Sequence, residues 1–127
     1  MNIEELVILF RPIGAAEYAL VLRSGFREFP ARLMQEPLVS VVTTEDAALR
    51  LAGAWNVRDA ASGFVGYVAR FAVRGAWLER YPRRALGDDI TEAEYVIPAE
   101  HIAELNRQIV GPIQVVAEVR PEVGDDA

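Results

Sequence analysis

The chain has 127 residues, near the commonest size of a single domain, and its 52% hydrophobic and 25% charged content belongs to a globular protein with its own core. Cysteine and lysine are absent and histidine occurs once, which excludes disulfides, thiolate and Schiff-base nucleophiles, a P-loop, and any cysteine- or histidine-rich metal site. The net charge of −6 argues against nonspecific nucleic-acid binding, and no apolar run reaches the roughly 18 residues of a membrane helix. With an acidic start unlike a signal peptide, the expectation is a cytoplasmic domain over residues 1–120 and a frayed acidic tail over 121–127, with no membrane and no metal.

In chain order, Leu6 to Arg11 is an apolar run that predicts a buried strand ending at Pro12. Gly14 to Ser24 has helical spacing, with Ala15, Tyr18, Ala19 and Leu22 on one stripe and Gly25 as a left-handed cap. Phe26 to Pro37 mixes prolines, arginines and bulky apolar residues without a period and predicts a packed loop. Leu38 to Val42 predicts a short strand. Thr43 or Thr44 can then cap a helix that continues through Ala47, Ala48, Leu51 and Trp55.

Asn56 to Ser62 is small and polar, hence a loop, and Gly63 to Val73 alternates as a strand should. Its predicted core face is Val65, Tyr67, Ala69, Phe71 and Val73, with Phe64, Val68 and Arg70 on the other side. Trp77, Leu78 and Tyr81 suit a short helical turn ended by Pro82, and Arg83 to Asp89 a charged turn region. Tyr95 to Ile97 predicts a brief strand. Pro98 opens a helix with Ile102, Leu105 and Ile109 inward, and Ile113 to Arg120 alternates as a last strand with Ile113, Val115, Ala117 and Val119 inward.

Strands and helices alternate about four times, which by pattern alone favours a parallel α/β sheet. The half-polar strands and the absence of a Gly-rich loop after the first strand point instead to an α+β domain with mixed or antiparallel strands.

Several stretches resemble the small bacterial proteins described as ADP-ribosylation/crystallin-like: LFRPIGAAEYALVLRSGFREFPARL, the Trp55-Asn56 pair, GYVARFAV, and EYVIPAEHIAELNRQIVGPIQVVAEVR. The resemblance covers most of the chain and implies a compact ADP-ribosyltransferase-like split sheet with peripheral helices. In such a fold Arg11 would hold NAD, Thr43 or Thr44 would supply the hydroxyl before an alanine-rich helix, and Glu94 in TEAEYVIP would be the catalytic carboxylate. The sequence lacks the histidine-tyrosine pair of one transferase class and the Ser-Thr-Ser of the other. The resemblance therefore implies either an NAD-binding or NAD-consuming domain or a catalytically silent one that docks a protein partner.

Each candidate also has a plainer role. Arg11 can pair with a nearby acid, Thr43 or Thr44 can be an N-cap, and Glu94 can be an exposed strand residue. His101 is expected on the surface beside Glu100 and Glu104, and Asp88, Asp89, Glu92 and Glu94 in a solvated turn. Arg70, Arg74, Arg80, Arg83 and Arg84 read as a solvated rim, or as a site for phosphate or an acidic partner. Trp55, Trp77 and Tyr67 are expected in the core, or lining a nicotinamide pocket.

Overall fold

A computed structural model describes residues 5–31 and 37–121. Its strands are β1 (Leu6–Ile13), β2 (Leu38–Val42), β3 (Gly66–Arg74), β4 (Arg83–Ala85), β5 (Ala93–Pro98) and β6 (Gln114–Val119). The helices are α1 (Ala15–Arg23), α2 (Glu45–Ala54), α3 (Gly75–Leu78) and α4 (Ile102–Gln108). The strands form one six-stranded sheet in the order β4-β5-β2-β1-β3-β6. Every ladder in it is antiparallel, so the domain is α+β and the parallel arrangement is excluded.

The sheet is pinched in the middle. β1 pairs with β3 along its whole length, from Leu6↔Arg74 to Ile13↔Tyr67, but meets β2 only at Phe10↔Val42. This explains why Pro12 does not end β1, as its sequence suggests it should. Beyond Phe10 the strand has no paired residue in β2, so the donor that proline lacks costs no ladder bond there.

Strand alternation divides the side chains between two faces. On the main face Leu9, Val41, Phe71 and Ile97 pack with Val21 of α1, Leu78 of α3 and Ile102 and Leu105 of α4. On the second face Phe10, Val42 and Val68 pack beneath Ala47 and Ala48 of α2. The face assignment of the third strand therefore holds: Ala69, Phe71 and Val73 are core, and Val68 points the other way. The strand itself begins later than expected, because Gly63 and Phe64 take left-handed φ values of 74° and 57°.

Other expectations are corrected. In α1 the buried residue is Val21, with Tyr18 packed one turn before it, whereas Ala19 and Leu22 are exposed. Trp55 ends α2 as its C-cap and is 51% exposed, not core, while Trp77 is buried. Arg83 to Ala85, expected in a turn, forms edge strand β4, whose exposed charged residues discourage pairing with another chain. Ile109 lies past the end of α4 and bridges to Val73. The expected loop from Phe26 to Pro37 is described only in part. Its Phe29 backbone N–H donates to Asn106 Oδ1 at 2.9 Å and its carbonyl accepts from Asn106 Nδ2 at 2.9 Å, so one amide side chain pins it to α4. Residues 122–127 of the expected tail lie outside the described chain.

Phe71 is 1% exposed and meets Phe29 edge-on at 4.9 Å, whereas Val115 on edge strand β6 is only half-buried. Phe71→Ala should lower unfolding free energy by about 3–5 kcal/mol in urea denaturation, against about 1 kcal/mol for Val115→Ala. Two glycines provide a second check. A Cβ at Gly14 would lie 2.5 Å from Ser62 Oγ, whereas one at Gly53 in α2 would meet nothing within 4 Å. Gly14→Ala should therefore lower the melting temperature, and Gly53→Ala should raise it through about 0.5–1 kcal/mol of helix stabilisation.

Candidate functional site

Arg11 projects from β1 on the row of Leu9 and Ile13, hence on the main face, and its side chain is 12% exposed. Burying a guanidinium requires partners for its donors. Glu17, in the first turn of α1, takes Nε and Nη2 on its two carboxylate oxygens at 3.0 Å each. Nη1 reaches the Ser40 carbonyl of β2 at 3.4 Å, and the group lies 5.9 Å from the centre of the Phe29 ring. The arginine thus bridges β1 and β2 where their ladder is missing.

Glu94 lies on the opposite face. It is the register partner of Val42, which packs in the second cluster, and its side chain is 15% exposed. The Ser40 hydroxyl donates to Glu94 Oε2, and Arg84 of β4, directly opposite in register, approaches Oε1 at 3.8 Å. Arg11 and Glu94 therefore touch the same residue, one at its carbonyl and the other at its hydroxyl, from opposite sides of the sheet.

The two threonines serve the fold. Thr43 Oγ1 donates to the Thr91 carbonyl at 2.6 Å and accepts from Ala93 N at 2.8 Å, which closes β2 onto the entry to β5. Thr44 is the N-cap of α2, accepting from Ala47 N at 3.1 Å, and its hydroxyl donates to Glu92 at 3.1 Å. Glu92 also receives Arg50 Nη2 at 2.7 Å, and this arginine, ahead of the other influences, holds the Glu92 carboxyl below its ordinary range. The acidic run is thus divided among separate partners, with Asp89 accepting from the Thr91 hydroxyl and backbone.

Three residues here escape a reading by motif. Ser40 is a lone hydroxyl in the apolar strand LVSVV, Glu17 is an ordinary first-turn acid, and Arg84 is one of several neighbouring arginines. The hydroxyl interruption in an alternating strand is the one usable signal.

A second polar group joins α3 to α4. Trp77 Nε1 and Arg80 Nη1 both donate to Glu104 Oε2, at 3.0 and 2.7 Å. The Tyr81 hydroxyl lies 2.7 Å from His101 Nδ1, so the histidine is half-buried and partnered, contrary to its expected surface setting. Burial first, and then the Glu104 charge, raises the Tyr81 pKa. The Trp77 donor, followed by Arg80, holds Glu104 below the usual carboxylate range.

Among the described residues no helix is long and apolar enough to cross a membrane. Compared with protein-family models, curated protein sequences and solved structures, the chain matches none.

Removing one partner of the Arg11–Glu17 pair strands a buried charge, whereas removing both does not. Glu17→Ala should destabilise by about 3–5 kcal/mol, and the double change Arg11→Met with Glu17→Leu by clearly less, measured by chemical denaturation. Glu104 provides a pH test. Its depressed folded-state pKa contributes stability above the unfolded value that is lost as pH falls through the folded one. Trp77→Phe deletes the leading donor, so the Glu104 carboxyl should titrate at higher pH by carbon-detected NMR.

Proposed function

We propose that this chain is an ADP-ribosyltransferase-like domain that binds NAD, with Glu94 as its working carboxylate. The observation that carries this reading is the half-buried Glu94 side chain, one oxygen held by Ser40 and the other, among the described residues, approached by Arg84 at 3.8 Å. Cleaving the bond between nicotinamide and ribose builds positive charge on the ribose ring, and a carboxylate already fixed nearby stabilises that charge without first reorganising. The Ser40 hydroxyl would hold the carboxylate in one orientation, with its other oxygen turned toward a ribose hydroxyl. The antiparallel α+β sheet with helices outside it is compatible with this reading, although its six strands form one sheet and not the split sheet that the resemblance implies.

Arg11 fits a pyrophosphate-binding role less well. Its fork is occupied by Glu17, and an incoming phosphate would have to displace a buried carboxylate. Thr43 and Thr44 likewise have their hydroxyls engaged within the fold.

The separation of Arg11 and Glu94 onto opposite faces favours a second reading, in which the domain is catalytically silent and docks a protein partner. Calorimetric titration with NAD and an assay of nicotinamide release separate the two. On the first reading Glu94→Gln should cut turnover at least about a hundredfold with little change in binding, because the carboxylate acts mainly as charge develops. Ser40→Ala should lower turnover less. Wild-type protein that neither binds nor cleaves NAD at high concentration would leave the partner-docking reading in its place.

A further inference from the structure

We infer that Arg84, and not Arg11, is the anion-binding residue of this domain, and that the second face of the sheet takes a ribosyl phosphate with its phosphate on Arg84 and a sugar hydroxyl on Glu94. The inference rests on the proposed role of Glu94.

Register puts the two groups side by side. Arg84 pairs with Glu94 across β4 and β5, and Glu94 pairs with Val42 across β5 and β2, so all three side chains share the second face. Beyond the strand ends, toward α2, the Thr44 hydroxyl donates to Glu92, which also holds Arg50. Arg83, one residue earlier in β4, belongs by alternation to the other face and donates to the Ile90 carbonyl at 2.8 Å.

The arginines differ in what already occupies their donors. Arg11 is buried against Glu17, Arg50 holds Glu92 at 2.7 Å, Arg70 holds Gln114 at 2.9 Å, and Arg80 holds Glu104 at 2.7 Å. Arg84 is 71% exposed, and its ionic contact among the described residues is the Glu94 approach at 3.8 Å, longer than a hydrogen bond. A guanidinium with donors available in a planar fork suits a phosphate bidentately. On a chain of net charge −6, such a local cation is what an anion requires.

The neighbouring carboxylate decides the kind of anion. Glu94 repels the charge of either phosphate alike, but a sugar phosphate also carries hydroxyl donors set apart from its phosphate, which can reach that carboxylate while the phosphate stays on Arg84. A sugar phosphate is thereby selected over the bare ion. Ribose 5-phosphate and ADP-ribose present the same chemistry from two sources, and the adenine-bearing ligand gains only if contacts extend beyond this pair.

The test is a titration of isotopically labelled full chain, followed by amide NMR, with ribose 5-phosphate, ADP-ribose and inorganic phosphate. Shifts should centre on residues 83–85 and 93–96, and inorganic phosphate should bind most weakly. Arg84→Ala should weaken the sugar phosphates roughly tenfold to a hundredfold, with Arg84→Lys intermediate because the charge remains while the fork is lost. Both variants should keep the wild-type melting temperature, since the side chain is exposed. Unchanged affinity in Arg84→Ala, or shifts centred on Arg11 and α1, would overturn the assignment while leaving a nucleotide-binding domain intact. Wild-type protein that binds none of these ligands and no NAD would overturn both.

Discussion

The Arg11 guanidinium stands at the seam of the sheet with the fewest paired positions, between β1 and β2. β1 and β2 share a single paired position, and the gap beyond it is spanned by a side chain bonded to Glu17 of α1 and to the Ser40 carbonyl of β2, near the Phe29 ring. One residue thereby fixes the helix after β1, the neighbouring strand and the loop that covers the main core. A charge in that position is tolerable only because its fork is matched by a carboxylate. The same seam is held on its other face by Phe10 and Val42 packed together beneath α2.

The two faces are covered unequally, and the candidate chemistry follows from that. The main face is closed by α1, α3, α4 and the Phe29 loop over a large apolar cluster. The second face has α2 over Phe10, Val42 and Val68, while toward β5 and β4 it carries Ser40, Glu94 and Arg84. The Glu94 carboxylate there is held by the Ser40 hydroxyl and keeps 15% of its side chain exposed. Arg11 and Glu94 are connected through Ser40 from opposite faces, so the proposed nucleotide on the Glu94 side would need its cation from another strand.

Period and punctuation made much of the fold legible in the sequence. The alternation around Phe71, the helical spacing of Ile102 and Leu105, the Thr44 cap and the left-handed Gly25 all follow from local rules, because each depends on neighbours within one or two turns. The same rules misjudged Pro12, Leu22 and Trp55. Whether proline breaks a strand depends on what lies across from it, and the stripe that α1 buries depends on where β1 and the Phe29 loop stand.

By itself the sequence pointed to an α+β domain without thiol, lysine or histidine-cluster chemistry, and it was the resemblance of its stretches to a known family that singled out Arg11 and Glu94. Only the tertiary structure decided that Glu17 takes Arg11, that Ser40 takes Glu94, and that Arg84 faces the same side as Glu94. The reason is separation along the chain. Ser40 and Glu94 are 54 residues apart, and their meeting is set by the β2–β5 register, which long-range pairing and packing specify and no local pattern encodes.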